Sequence, residues 1–363
     1  MDEKTGRKRL RVAVIGCGSI ANAAHIPNYV ANEGVEIKYF CDIIPERAEK
    51  AVKKYACGKA VTDYHDFLKD PELDAVSVCT HNDMHAPISI DFLRAGKDVL
   101  CEKPAARTLP EALEMQRIAH ETGRLLVIGV VNRFGAYNNL VKKMIARGDL
   151  GEVYHVFASF RRYRGIPGLG GDFTRKACSG GGVLIDIGVH NLDVILYCCG
   201  EPKPVTASGE AYCRLGRDIA GYTYLDMWAA DSGRGGDRVY DVDDFVTGLV
   251  RTTGPTITFE GAWAQNIGDE NEKSFIDFLG DKGGIRMNYT GDFTYYSAQD
   301  GALTAQKFSM KSEDFYKTEI NAFVASCLEG APNQAHIDYA VQTSKIMDAI
   351  YRSSEQHREI VLD

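Results

Sequence analysis

Two short stretches carry residue types able to act on a hydroxyl group. In the first, Glu102-Lys103-Pro104 follows the apolar run Asp98-Val99-Leu100-Cys101. A lysine at the carboxyl end of a parallel strand stands where open α/β sheets take their ligands. The proline holds Lys103 extended and fixes where its side chain points. Such an amine can hold a reacting oxygen, and desolvation brings an ammonium into the range of acid–base work. The plainer alternative is a surface lysine paired with Glu102. The second stretch runs Gly180-Gly181-Gly182-Val183-Leu184-Ile185-Asp186-Ile187-Gly188-Val189-His190-Asn191-Leu192-Asp193. A glycine-rich loop here leads into a helix that stops at Gly200. Asp186, His190, Asp193 and Tyr197 share one stripe by helical spacing, with Leu184, Gly188, Leu192, Ile195 and Cys199 opposite. Solvated helix faces usually carry Lys and Glu, and this one has neither, so the stripe is expected to line a cleft. There His190 would take a hydroxyl proton while Asp186 grips a neighbouring hydroxyl or steadies the imidazole.

A metal is the rival occupant. Asp186 and His190 have helical ligand spacing, as do His81 and His85. No His-Glu-x-x-His occurs and neither pair has a clear third ligand, so no metal is assigned. No Gly-x-Ser-x-Gly elbow presents a nucleophile.

The element that must position these groups is Arg11-Val12-Ala13-Val14-Ile15-Gly16-Cys17-Gly18-Ser19-Ile20-Ala21. An apolar strand, a glycine turn and an apolar-periodic helix to about Ala31 make the setting of a dinucleotide site. Gly16 allows the sharp turn, Gly18 lets a pyrophosphate approach the backbone, and Ala21 keeps the helix close. N–H groups around Ser19 and Ile20 would meet the phosphates. The next strand, 35–41, ends at Asp42, where a carboxylate can accept both ribose hydroxyls. The alternative is that Asp42 only caps the helix starting near Pro45. A carboxylate there repels a 2′-phosphate and favours NAD over NADP, although Arg47 keeps NADP open.

The chain of 363 residues is long enough for two domains. A formal net charge of −8, with basic residues clustered only at 4–11 and 161–164, argues against nucleic-acid or anionic-membrane partners. Ten cysteines lack regular spacing and suit a reducing cytoplasm better than a disulfide framework. Residues 1–10 have no apolar core of a secretion signal, and no apolar run reaches the roughly 20 residues of a membrane span. Up to 131 the pattern alternates helices at 45–55, 64–69, 83–95 and 108–123 with strands at 74–79, 98–101 and 125–131. This predicts a doubly wound parallel sheet. From 151 the period changes to strands near 153–162, 205–213, 243–253, 256–264, 274–279, 284–289 and 293–297, a largely antiparallel sheet open on one face. The stretch 165–171 and the loop 232–237 read as irregular, and helices near 313–328 and 337–356 close the chain.

The Gly16-to-Ala21 motif, Glu102-Lys103-Pro104, and Gly180-Gly181-Gly182 with Asp186-x-Gly188-x-His190 together resemble the Gfo/Idh/MocA oxidoreductases over nearly the whole chain. The resemblance implies an NAD-binding Rossmann domain at 1–131 and a substrate-binding and oligomerisation domain at 132–363. It implies hydride transfer at a secondary hydroxyl of a sugar, polyol or glycoside, glycoside carbon-3 oxidation being one such activity. Lys103, Asp186 and His190 match the catalytic positions. Thr80, Asn82 and His85 match a segment near the nicotinamide ribose, with His81 where proline is common. Glu102 and Asn132 would border the cofactor, and Arg133 and Tyr163 the substrate. Phe173 and Arg175 stand near a Trp-Arg pair of many members, Arg175 being assigned to the cofactor. The aromatics Tyr163, Tyr222, Tyr224, Trp228 and Trp263 could stack on an aglycone, or belong to core or interface. A homodimer or homotetramer through the open sheet is implied. Two rival activities of the same fold are NAD-assisted glycoside hydrolysis and non-catalytic sugar or dinucleotide sensing.

Overall fold

The apolar run Leu10–Ile15 is strand β1 in a computed structural model that describes residues 9–223, 229, 238–268, 274–288, 291–311 and 313–362. With β2 (Val35–Cys41), β3 (Lys59–Val61), β4 (Ala75–Val78), β5 (Asp98–Glu102) and β6 (Leu126–Gly129) it forms a sheet in the order β3-β2-β1-β4-β5-β6. Every pairing is parallel. Strand order reverses between β1 and β4, the switch point where such sheets bind ligands. Helices cover both faces, which is why β4 and β6 are buried at every position, Ser77 being the one polar residue among them. Helix Leu109–Thr122 opens with a capping box. Thr108 accepts the Glu111 N–H, the Glu111 carboxylate accepts the Thr108 N–H, and Gly123 ends the helix at φ 62°.

The sequence reading does not identify β3. Its three residues are exposed or half-buried, so its pairing with β2 rather than any apolar run defines it. The segment expected as a helix at 64–69 is a 3-10 turn, Tyr64–Asp66.

The chain forms two compact units. The first holds the described residues up to Phe134 and also Asp314–Val341; the second holds Gly135–Glu313 and the chain from Gln342 onward. The expected partition at 131/132 misses this return. Helix Phe315–Glu329 buries Ile320, Phe323 and Val324 in the first core, against helix Ile26–Val30 and the turn Val131–Phe134. Core membership here follows the apolar face, not chain order.

The second unit is built on nine strands. They are β7 (Val153–Arg161), β8 (Pro204–Tyr212), β9 (Phe245–Thr252), β10 (Thr256–Ala262), β11 (Phe275–Gly280), β12 (Gly283–Asn288), β13 (Phe293–Gln299), β14 (Ala302–Phe308) and β15 (Ile360–Val361). The order is β14-β13-β12-β11-β7-β10-β9-β8-β15, antiparallel except where β7 meets β10. The edge strands β14 and β15 lie beyond the seven expected; β14 is exposed almost throughout, and β15 has two residues. One sheet face buries Val156, Ala158, Phe160, Ile257 and Phe259 under helices that include Val189–Cys198. On the other face the register sets Phe157, Thr258 and Leu249 in one row, all half-buried. The segment Lys176–Cys198 is long and apolar enough to cross a membrane by composition, contrary to expectation, yet 78% of its most apolar window is buried within this unit.

Candidate active site

At Gly16 (φ 87°) a β-carbon would lie 2.5 Å from the Cys79 carbonyl oxygen, so only glycine closes this turn against the end of β4. At Gly18 a β-carbon would meet nothing within 4 Å, which leaves the backbone open to a ligand. A helix then runs over 19–30, wound as a π turn at Ala21–His25. The Asn22 amide donates to the Cys17 and Gly18 carbonyls at 2.8 and 3.0 Å and steadies the loop. Asp42 is 7% exposed. Its Oδ2 accepts the Cys17 N–H at 2.8 Å and its Oδ1 the Ile44 N–H at 2.9 Å. It thus turns the chain into helix Pro45–Tyr55 and also grips the glycine loop, with lone pairs left for ribose hydroxyls. Arg47 is exposed in the first turn of that helix. An open backbone at Gly18, the N–H groups of Ser19 and Ile20, and this carboxylate fit a dinucleotide.

Lys103 follows β5 and is half-buried, and its bond to Pro104 is cis. Glu102 points into the core. Its Oε1 lies 2.8 Å from His25 Nε2, and its Oε2 accepts the Lys103 N–H at 3.2 Å. Burial opposes its charge, but the His25 hydrogen bond and the positive groups nearby prevail and hold it below the usual carboxylate range. The Glu102 carboxylate is thus an internal partner of His25 and of the Lys103 N–H. His85 is turned inward as well. The ring is 1% exposed, with Nδ1 2.8 Å from the Pro104 carbonyl oxygen and Nε2 3.1 Å from that of Thr80. Burial lowers its pKa against the pull of these two carbonyls. It splices the turn after β4 to the turn after β5 and has no surface left for a ribose. Thr80, His81 and Asn82 are half-buried at that first turn, and Asn132 at the turn Val131–Phe134. Arg133 has no exposed surface. Its Nη1 donates to the Gln334 carbonyl at 2.9 Å and its guanidinium lies 5.0 Å from the Tyr339 ring. A sugar cannot reach it, so its expected substrate contact is withdrawn.

In the second unit the anchor is Asp243, a residue the sequence reading passes over. It is 5% exposed. Its Oδ1 accepts the Gly182 N–H at 2.7 Å and the Tyr351 hydroxyl at 2.6 Å, and its Oδ2 the Leu184 N–H at 2.9 Å. A β-carbon on Gly182 would fall 1.9 Å from the Asp243 carbonyl oxygen, so the glycine there answers a close approach. The chain enters the helix through a π turn, Leu184–Gly188, that carries Asp186 and leads to His190 in Val189–Cys198. Both side chains are half-buried. The Trp263 indole N–H donates to Asp186 Oδ2 at 3.1 Å, and Trp263 itself is 1% exposed. Its expected stacking on an aglycone is thus replaced by the orientation of Asp186. π turns recur at functional sites, and here both glycine-led helices have one.

The polar stripe opens only in its first half. Asp193 and Tyr197 are buried; the Tyr197 hydroxyl donates to Asn139 Oδ1 at 2.6 Å, and the Lys142 ammonium lies 3.6 Å from its ring centroid. This half packs on helix Ala136–Arg147. Tyr163 is half-buried with the Arg164 guanidinium 5.3 Å from its ring. Phe173 and Arg175 are half-buried, and Arg175 caps helix Lys176–Ser179. Tyr222 is buried, while Tyr224, Trp228, the loop 232–237 and the basic residues at 4–8 lie outside the described residues. Among the described residues no group of three His, Cys, Asp or Glu is placed to hold a metal ion. All ten cysteines are free thiols.

Comparison with known proteins bears on both units. Residues 10–130 match the Gfo/Idh/MocA oxidoreductase family model with NAD-binding Rossmann fold, and 139–286 match the Gfo/Idh/MocA C-terminal domain. D-glucoside 3-dehydrogenase of Escherichia coli (strain K12) is 28% identical over 357 residues, 97% of each chain. The scyllo-inositol 2-dehydrogenase (NADP(+)) of Bacillus subtilis (strain 168) is 25% identical over 374 residues, 99% of this chain and 98% of that protein. A levoglucosan dehydrogenase solved in complex with NADH superposes with a TM-score of 0.85 at 21% identity, over 98% of this chain and 100% of that one, a likeness of fold. With matches in both halves, over the glycine turn, the Lys103 strand end and the Asp186–His190 helix, the chain belongs to the Gfo/Idh/MocA oxidoreductase family.

Proposed function

We propose that the chain is an NAD-dependent dehydrogenase that oxidises a secondary hydroxyl of a sugar, polyol or glycoside. The observation that carries this reading is the Asp42 carboxylate joined to the open Gly16–Gly18 turn, with retained Lys103, Asp186 and His190 at element ends built to hold them. NAD, when bound, supplies the hydride acceptor. His190 takes the hydroxyl proton onto a ring nitrogen. Lys103 holds the oxygen through its ammonium, and Asp186, oriented by the Trp263 indole, grips a neighbouring hydroxyl. Asp42 favours NAD, since a 2′-phosphate would sit against a carboxylate. The likeness to D-glucoside 3-dehydrogenase along the full chain makes glycoside carbon 3 the first hydroxyl to test. A homodimer or homotetramer through the open sheet face, and a cytoplasmic setting that keeps ten thiols reduced, complete the proposal.

The test supplies glucosides, inositols and anhydrosugars with NAD and follows the absorbance of reduced nicotinamide. Reduced cofactor accumulating with a glycoside or polyol supports the proposal. Net hydrolysis without it would move the assignment to NAD-assisted hydrolysis, and silence across the panel to a sensor.

A further inference from the structure

Tyr29, Ser77, His25 and Glu102 form an unbroken hydrogen-bond chain inside the first unit. Tyr29 Oη lies 3.0 Å from Ser77 Oγ, which lies 3.0 Å from His25 Nδ1. His25 Nε2 is 2.8 Å from Glu102 Oε1, and Glu102 Oε2 accepts the Lys103 N–H at 3.2 Å. His25 and Ser77 have no exposed surface. An ionised carboxylate only accepts, so Nε2 carries the proton facing Glu102. Nδ1 pairs with the Ser77 hydroxyl, and that hydroxyl with Tyr29. Each member is satisfied, and a buried network completed in this way is rigid.

The groups facing Glu102 come from four directions. Lys103 adjoins it, His85 comes from helix Asn82–Arg94, and Glu319 from helix Phe315–Glu329. The Cys79 thiol, just past the end of β4, interacts electrostatically with Glu102, as does that of Cys101, its neighbour in β5. Glu319 is fully buried, and burial first and the charge of Glu102 second push its pKa up. The side-chain hydrogen bond to Glu102 comes from His25.

We infer that His25 is a positioning residue: it keeps Glu102 ionised, and Glu102 in turn fixes the backbone and the local charge at Lys103. The inference rests on the role proposed for Lys103 above. Without the His25 donor, burial acts on Glu102 with less opposition and its carboxyl binds a proton at higher pH. The Lys103 N–H then loses a charged acceptor and the ammonium an anionic neighbour.

The experiment compares the full-length parent, His25→Leu and His25→Gln. Isotope-edited NMR of glutamate carboxyl carbons follows Glu102, with Glu102→Gln assigning its signal. The midpoint should rise by about one pH unit or more in His25→Leu, and by less in His25→Gln, whose amide can still donate to Oε1. The acid limb of the pH–rate profile should move the same way, with NAD affinity near that of the parent. An unmoved Glu102 midpoint in folded His25→Leu overturns the inference, and so does an unmoved acid limb beside a shifted midpoint. Should His25→Leu not fold, Ser77→Ala unties Nδ1 and should give a smaller shift of the same sign; no shift overturns the inference. A parent without NAD-linked turnover defeats the dehydrogenase reading instead, and the carboxyl titration still decides the link from His25 to Glu102.

Discussion

On the proposed mechanism turnover should hang on Lys103 and His190, because one would hold the reacting oxygen and the other would receive its proton. Lys103→Met and His190→Ala should each lower kcat by about 10²-fold or more, the range for general acid–base groups, while isothermal titration still shows NAD binding. Unchanged kcat in either variant removes that residue from the mechanism. Asp42 accepts the Cys17 N–H, and in the proposed complex it would also take the ribose hydroxyls. Asp42→Ala should therefore narrow the preference for NAD over NADP and also weaken binding of both, which a comparison of the two KM values would reveal. A parent that already prefers NADP would defeat the assignment. Glu319 makes a prediction about stability. Its folded pKa lies well above 4.5, through burial and then the Glu102 charge, so the folded state keeps the proton while the unfolded chain releases it. Its titration therefore leaves stability unchanged below the unfolded pKa, and as pH climbs toward the folded pKa it withdraws up to ~1.4 kcal/mol per pH unit. Glu319→Gln removes that slope. Its melting temperature should gain on the parent steadily from pH 5 to pH 7, whatever fixed cost the buried amide brings. Parallel curves would mean that folding does not raise the pKa of Glu319.

At the scale of elements, the site depends on the loop that starts the Asp186–His190 helix. Asp243 is the buried acceptor for two of its N–H groups and for the Tyr351 hydroxyl. Asp243→Ala strands these donors, and at ~1–3 kcal/mol for each unsatisfied buried group the cost should be about 3 kcal/mol or more. Denaturant unfolding would register it, and the surviving folded fraction should lose kcat rather than NAD affinity, because the loop belongs to the other unit. A loss of NAD affinity alone would contradict this account. Local signals made several elements legible beforehand. The strand at 35–41, the helix at 45–55 and the capping box at Thr108 declare themselves within a few residues, and the structure has them there. β3 and β14 do not, since an exposed edge strand needs no apolar run and is defined by its neighbour. The site was legible in the same uneven way. Glycine spacing marked Gly16 and Gly182, whereas the bonds from Asp243 to Gly182 and from Trp263 to Asp186 join residues 61 and 77 positions apart, with nothing local to announce them. Burial had the opposite effect. Arg133, His85 and Glu102 are polar residues beside a motif, a pattern that fits a ligand contact, yet packing turned each of them inward.

For the whole molecule, the open sheet face is the feature that a lone chain leaves unsatisfied. Eight long strands at about 4.8 Å spacing and roughly 20 Å in length offer on the order of 700 Å², close to what each partner gives a standard interface. Phe157 on β7 and Phe275 on β11 have ring centroids 5.6 Å apart on this face, and Arg286 lies 4.3 Å from the Phe275 ring. The ion pairs Arg161–Glu260 and Arg286–Asp277 sit among these apolar groups. Neutralised charges beside half-buried aromatics and Leu249 suit a like-on-like, two-fold contact better than binding to a charged polymer. Phe157→Asp combined with Leu249→Asp would place carboxylates in the middle of that contact, where desolvation without partners is costly. Sedimentation velocity should show the parent as a dimer or tetramer and the double variant as smaller species, with the circular-dichroism spectrum retained. A parent that sediments as a monomer at micromolar concentration, or a double variant that assembles as the parent does, would take the oligomer interface away from this face.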